Sequence, residues 1–292
     1  MSLVVVSITS WSKRIDYVKK VVESIMDNTV QPDRLYLNLS REEFYDIELP
    51  KDLVSYFDSD ARLIINWVDG ENTKTMKKVF PILQYLDDDD IIITADDDIL
   101  FPKDLIESRI KDFNDFGSKY SITSNKHGIG IFNNMYVASA ISLYTKRMLN
   151  GWDRYVNEDI IKTYNDDRTY VYILWLNGFF NKPCTKYNVK ELLREYSLSL
   201  NETSMSANKQ VIFARNYDVV ANKRIKQITD KNIFDMFGFL QEQQKHDGNY
   251  DNVNKRISNN ILIQKIRDGI KNGSIIKEYK DDGTYIWKKV KK

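Results

Sequence analysis

Ile91-Ile92-Ile93-Thr94-Ala95-Asp96-Asp97-Asp98 joins a strand-like apolar run directly to three consecutive carboxylates. The first five residues suit a strand buried on both faces. The aspartates repel one another and cannot be buried unpaired at tolerable cost. A strand end that turns them into a cleft therefore points to a divalent cation. One or two carboxylates completed by substrate phosphates describe a Mg²⁺ or Mn²⁺ site. The plain alternative is an acidic surface turn, to which Asp87–Asp90 just upstream would contribute.

The same alternation extends outward on both sides. Residues 3–8 form a first apolar run, bounded by Thr9, Ser10 and Ser12. Residues 16–28 align Val18, Val22, Ile25 and Met26 on one helical face, and Gln31-Pro32-Asp33 ends that helix. Arg34–Leu39 and Arg62–Val68 read as the second and third strands. Residues 75–86 read as a helix that Pro81 must kink or delimit. After the fourth strand, Pro102 opens a helix carrying Leu105, Ile106, Ile110 and Phe113, which Gly117 closes. Strand–helix alternation predicts an α/β fold, a mainly parallel sheet with helices on both faces. Ligands of such sheets bind beyond the carboxyl ends of the strands, where Asp96–Asp98 fall.

Composition narrows the function classes. The chain has 292 residues and a formal net charge of +1, which does not suggest general affinity for nucleic acid. Cys184 is the sole cysteine, so an intrachain disulfide is excluded and a reducing, cytoplasmic setting is expected. No apolar run approaches the roughly 20 residues that span a bilayer. The N-terminus lacks a basic region and a long apolar core, and reads as a strand rather than a signal peptide. With two histidines in the chain, a His-rich metal site is excluded.

Several segments, in order, resemble the GT-A glycosyltransferases, specifically a bacterial group related to family 2. They are Thr9–Ile15, Asn38–Phe44 with Leu49-Pro50, Asn66-Trp67-Val68, Lys77–Pro81 and Ile92–Pro102. The likeness covers residues 3–110 well, is weaker to about residue 200 and is absent beyond about 235. It implies a GT-A, Rossmann-like domain over residues 1–235 and a small C-terminal extension over 236–292. It also implies metal-dependent transfer of a sugar from a nucleotide-sugar, a UDP-sugar by preference, to a hydroxyl acceptor with inversion. Asp98 would hold Mn²⁺ or Mg²⁺. Asp96 would bind the ribose or a metal-bound water. Asp97 would face the other side of the extended backbone, as a further donor contact or as a structural partner for a nearby basic group or backbone amide.

Asp166 and Asp167 resemble the family's acidic pair at the start of a helix that ends near Gly178. Asp167 is the expected base for the acceptor hydroxyl, with Asp166 orienting it. Helix capping is the competing reading, and Glu158-Asp159 the competing pair. Thr9 and Ser10 could contact the nucleotide, as could Asn66 and Asp69. Ser40 stands where many relatives carry an Asp for the nucleotide. Lys77 or Lys78 could reach a phosphate, with Lys78 preferred. His127 is a weaker candidate for acceptor or metal, and Trp152 or Trp175 for stacking on a sugar.

In the C-terminal segment, 241–254 reads as a polar linker and 257–270 carries an imperfect helical stripe. Asp281–Trp287 suggests a hairpin with Asp282-Gly283 at its turn. The basic, aromatic end at 287–292 reads first as a solvated tail, and second as a contact for an anionic membrane surface or an acidic acceptor. Glycan, lipid-linked sugar, protein and modified nucleic acid all stay open as acceptors. Rival functions are a nucleotidyltransferase on the same fold, a two-metal nuclease and an inactive nucleotide-binding scaffold. The nucleotidyltransferase would be expected to show a glycine-rich loop, and Thr9–Arg14 contains no glycine.

Overall fold

The computed structural model describes residues 2–70, 72–124, 128–129, 132–136, 141–154, 156, 166–177, 179–188, 192, 269, 271–279 and 285–290. Its centre is a seven-stranded sheet in the order β3-β2-β1-β4-β8-β5-β9. The strands are β1 (Val4–Thr9), β2 (Arg34–Ser40), β3 (Leu63–Val68), β4 (Ile91–Ala95), β5 (Tyr120–Thr123), β8 (Ser142–Thr145) and β9 (Phe180–Pro183). β1 pairs in parallel with β2 and β4, and β2 with β3. β8 runs antiparallel to both of its neighbours, β4 and β5, while β5 and β9 are parallel. The sheet is therefore mainly parallel, with one strand reversed. β1 and β4 are buried at successive positions, Val5–Thr9 and Ile92–Ala95, so both of their faces are covered.

Helices α1 (Val18–Met26), α2 (Lys51–Asp58) and α3 (Leu105–Asp115) follow β1, β2 and β4. α1 buries the expected Val18, Val22, Ile25 and Met26, and Val21 besides. α3 ends as Gly117 predicts. Gly117 takes φ +73°, its N–H bonds the Asn114 carbonyl and the Ser118 N–H bonds Phe113, closing a Schellman turn. Further along the chain lie the short α4 (Lys146–Leu149) and the eleven-residue α5 (Asp166–Leu176). A two-stranded ribbon, β6 (Gly128–Ile129) with β7 (Phe132–Tyr136), lies between β5 and β8 in sequence.

Residues 75–86 differ from expectation. They form two 3-10 helices, Lys74–Lys78 and Phe80–Tyr85, with Val79 between them at φ −125°, ψ −54°. Pro81 sits in the first turn of the second, where its missing N–H and its ring block a continuous α-helix. The C-terminal hairpin is present as β10 (Ile275–Tyr279) and β11 (Tyr285–Lys289), antiparallel, with Tyr279 opposite Tyr285. Its expected turn at Asp282-Gly283 lies outside the described residues. So do the 241–254 linker, the 257–268 part of the helical stripe and the division at residue 235.

Candidate active site at the carboxyl edge of the sheet

Strand register sets the site. Ile8 pairs with Ala95, so Thr9 and Asp96 are the next residues along adjacent strands. Thr9 pairs with Asn38, and Asn38 with Asn66. A polar row therefore runs along the carboxyl edge from β4 to β3. It is bonded internally: the Thr9 hydroxyl donates to the Asn38 carbonyl (2.8 Å), and Asn66 Nδ2 donates to Asn38 Oδ1 (2.8 Å). Asn38 Nδ2 in turn donates to Ser7 Oγ (2.9 Å).

Asp97 turns back into the protein. It accepts from Ser10 Oγ (2.6 Å) and from Arg14 Nε (3.0 Å), and a second Arg14 nitrogen contacts its other oxygen. Arg14 and Asp97 are both buried. Arg14 Nη1 also lies 3.7 Å from Asp98 Oδ2. Ser10 and Asp97, expected at the donor, are thus bonded to each other, and Arg14 arranges the turn after β1 around the strand end. Breaking a buried pair leaves an uncompensated charge. Asp97→Asn is therefore expected to destabilise the chain by about 3 kcal/mol, at the low end because Asp98 remains near Arg14. A thermal melt showing no loss of midpoint would refute this.

Asp96 meets a different cation. Lys78 Nζ lies 2.5 Å from Asp96 Oδ1 and 3.3 Å from Asp166 Oδ2. Burial alone would push the Lys78 ammonium toward neutrality. The charges of Asp96, Asp166 and Asp167 outweigh that and hold it protonated, above the ordinary lysine range. The carboxylates of β4 and the acidic pair at the start of α5, far apart in sequence, thus meet at one lysine. Asp166 is buried and Asp167 half-buried.

An aromatic cluster fixes α5 there. Phe80 stacks on Trp152 with centroids 4.1 Å apart, and Tyr170 meets Phe80 edge-on at 5.5 Å. Tyr144 of β8 packs against Tyr170 at 5.8 Å. Phe80 follows Lys78 by two residues, so the segment that carries the lysine also braces α5. Trp152, a candidate for stacking on a sugar, has one ring face taken by Phe80.

The other candidates scatter. Asp69 is exposed and pairs with Arg41 (2.9 Å), whose guanidinium lies over Trp67. β3 stands three strands from β4, about 14 Å away at usual strand spacing. Lys77, buried, bonds Asn72 Oδ1 (2.7 Å) and Glu43 Oε2 (3.3 Å). Burial pushes its ammonium down, against the opposing pull of Glu43. Glu43 also accepts from Asn72 Nδ2 and the Ser12 N–H, tying together the loops after β1, β2 and β3. His127, Glu158, Asp159, Gly178 and the Trp175 side chain lie outside what is described.

Arg14, Asn38 and Glu43 carry much of this network, and the sequence reading gave them no role. For Arg14 a signal existed, since three carboxylates at a buried strand end require a cation nearby. Near the same edge, four buried side-chain atoms have no hydrogen-bond partner among the described residues: Trp11 Nε1, Ser40 Oγ, Thr73 Oγ1 and Thr75 Oγ1. They follow β1, end β2 and follow β3.

A divalent ion fits the charge. Asp96, Asp97, Asp98, Asp166 and Asp167 face two cations, Arg14 and Lys78, leaving negative charge in excess among the described residues. The donors are hard oxygens, suited to Mg²⁺ or Mn²⁺. No three acidic, His or Cys side chains converge as a ready-made cage among the described residues. Phosphate and water oxygens would have to complete the shell.

Comparison with known proteins supplies the fold. The mannosyltransferase PcManGT from Pyrobaculum calidifontis, solved with GDP-Man and Mn²⁺, superposes at TM-score 0.52 and 10% identity. The match covers 93% of this chain and 80% of that one. The fold is GT-A. S. aureus TarS aligns at TM-score 0.48 and 9% identity over 98% of this chain and 60% of that one. Its 1–349 form with UDP-GlcNAc aligns at 0.44 and 9%, over 98% and 99%. No family model and no curated protein matches the chain. Within the GT-A fold, Asp96–Asp98 end the strand that pairs with β1 on the side away from β2.

Proposed function

We propose that residues 1–235 form a metal-dependent glycosyltransferase that moves a sugar from a nucleotide-sugar, a UDP-sugar by preference, to a hydroxyl acceptor with inversion. The observation that carries this reading is the meeting of Asp96 and Asp166 at Lys78, on a GT-A fold. It brings a donor-side carboxylate beside an acidic pair suited to the acceptor. The partnerless atoms of Trp11, Ser40, Thr73 and Thr75 support a polar ligand along the β1–β3 edge, where a nucleoside would lie. That PcManGT was solved with GDP-Man and Mn²⁺ supports the donor class and the metal.

In this reading Asp98, with Asp96, would hold the ion. Bound there, it would supply Lewis-acid stabilisation of the charge that develops on the diphosphate. Asp167 accepts the acceptor hydroxyl proton as that oxygen attacks the anomeric carbon and the bond to the diphosphate breaks. Asp166, pinned by Lys78, orients its neighbour. Arg14, bonded to Asp97, holds the strand end that presents Asp98. No helix among the described residues is long and apolar enough to cross a membrane. A cytoplasmic setting completes the proposal, with the basic C-terminal end read first as a solvated tail and second as a contact for an anionic membrane surface.

Ligand stabilisation tests it. A nucleoside diphosphate with Mn²⁺ at a hundredfold excess over its dissociation constant is expected to stabilise the chain by about 2.7 kcal/mol. That corresponds to roughly 5–10 °C in melting midpoint. UDP and GDP should be run side by side. No shift with any nucleotide, with or without metal, would favour the inactive scaffold.

A further inference from the structure

Lys78 is anchored more firmly than a phosphate-binding lysine needs to be. Its side chain is 8% exposed. Its carbonyl accepts from Ser7 Oγ at 2.5 Å, fastening its backbone to β1. Val79 then breaks the 3-10 run, and Phe80 inserts into the aromatic cluster. Backbone and side chain are thus held from both ends. The ammonium sits between two carboxylates of different elements, Asp96 after β4 and Asp166 on α5, with Asp167 in its field.

Two carboxylates that converge on one point draw a cation there, and with water two suffice for a divalent ion. We propose that Lys78 is a built-in counter-ion which fills this position and excludes a second divalent cation, restricting the acidic cluster to one metal. The distinction bears on reaction class. A pair of ions bridged across a cluster stabilises both the entering and leaving oxygens in phosphoryl chemistry. An ammonium held between Asp96 and Asp166 keeps a second metal from the α5 pair. Lys78 acts here as a positioning residue, through the two aspartates. The inference deepens the proposed glycosyl transfer, but its test counts ions relative to the parent chain and stands apart from donor binding.

Mn²⁺ titration of the full chain, followed by the electron paramagnetic resonance of free Mn²⁺, reads the stoichiometry. Lys78→Met and Lys78→Gln are expected to bind about one more Mn²⁺ per chain than the parent, and Lys78→Arg the parental number. Adding Asp166→Asn to Lys78→Met should remove the extra ion. Equal stoichiometry in parent and neutral variants overturns the inference. So does failure of both neutral variants to fold, which would make Lys78 a clasp for the fold alone. A parent that binds no nucleotide defeats the proposed transfer, yet the difference in ion count between parent and variant is still read.

Discussion

Asp98→Asn is expected to abolish metal-dependent binding of a nucleoside diphosphate and leave the fold intact. Asp98 is buried beside the turn after β1, and Arg14 Nη1 lies 3.7 Å from it, beyond hydrogen-bond range. Removing its charge leaves Arg14 its bonds to Asp97, and the asparagine keeps an oxygen for the remaining contacts of residue 98. The main loss is therefore expected at the metal. Calorimetric titration with UDP and Mn²⁺, beside a thermal melt of the same variant, separates the two effects. Unchanged affinity would end the assignment of Asp98 as a ligand. A collapsed melt would assign it to the structural cluster of Asp97.

Asp167→Asn is expected to slow transfer by roughly 10²–10⁴-fold, the usual contribution of a positioned base. Donor affinity should change little, because the proton belongs to the acceptor. Asp167 is half-buried in the first turn of α5, next to Asp166, and the aromatic cluster holds that turn in place. Turnover and donor binding measured on one variant distinguish the roles. Lost donor binding would move Asp167 to the metal. Full activity would return the pair to helix capping, with Glu158 and Asp159 next to test.

The first four strands were legible because each is an apolar run with polar residues at its carboxyl end. β8 was not, since Ser142-Leu143-Tyr144-Thr145 is short and half polar, and its reversed direction depends on partners elsewhere in the chain. The 3-10 character of 74–85 was hidden as well. Met76, Val79, Phe80 and Leu83 recur at spacings of three and four, which both helix types tolerate. Within the site, the aspartates were visible as charges, but their partners were not. Arg14 lies 83 positions from Asp97, and Lys78 lies 18 from Asp96 and 88 from Asp166. Only the folded sheet turns such separations into contacts. Lys78 drew notice as a basic group near a possible phosphate, whereas its partners proved to be the carboxylates.

The reversed strand has a consequence for how such a chain can diversify. Thr123 at the end of β5 pairs with Ser142 at the start of β8. Residues 124–141 therefore depart from and rejoin the sheet at one rim, the rim that bears Asp96–Asp98. A segment hung from a single rim can lengthen, shorten or be exchanged without shifting any strand register, because neither end has to cross the sheet. Exchange of the stretch between Thr123 and Ser142 thus leaves the pairing of β4, and with it the placement of the acidic cluster, unchanged.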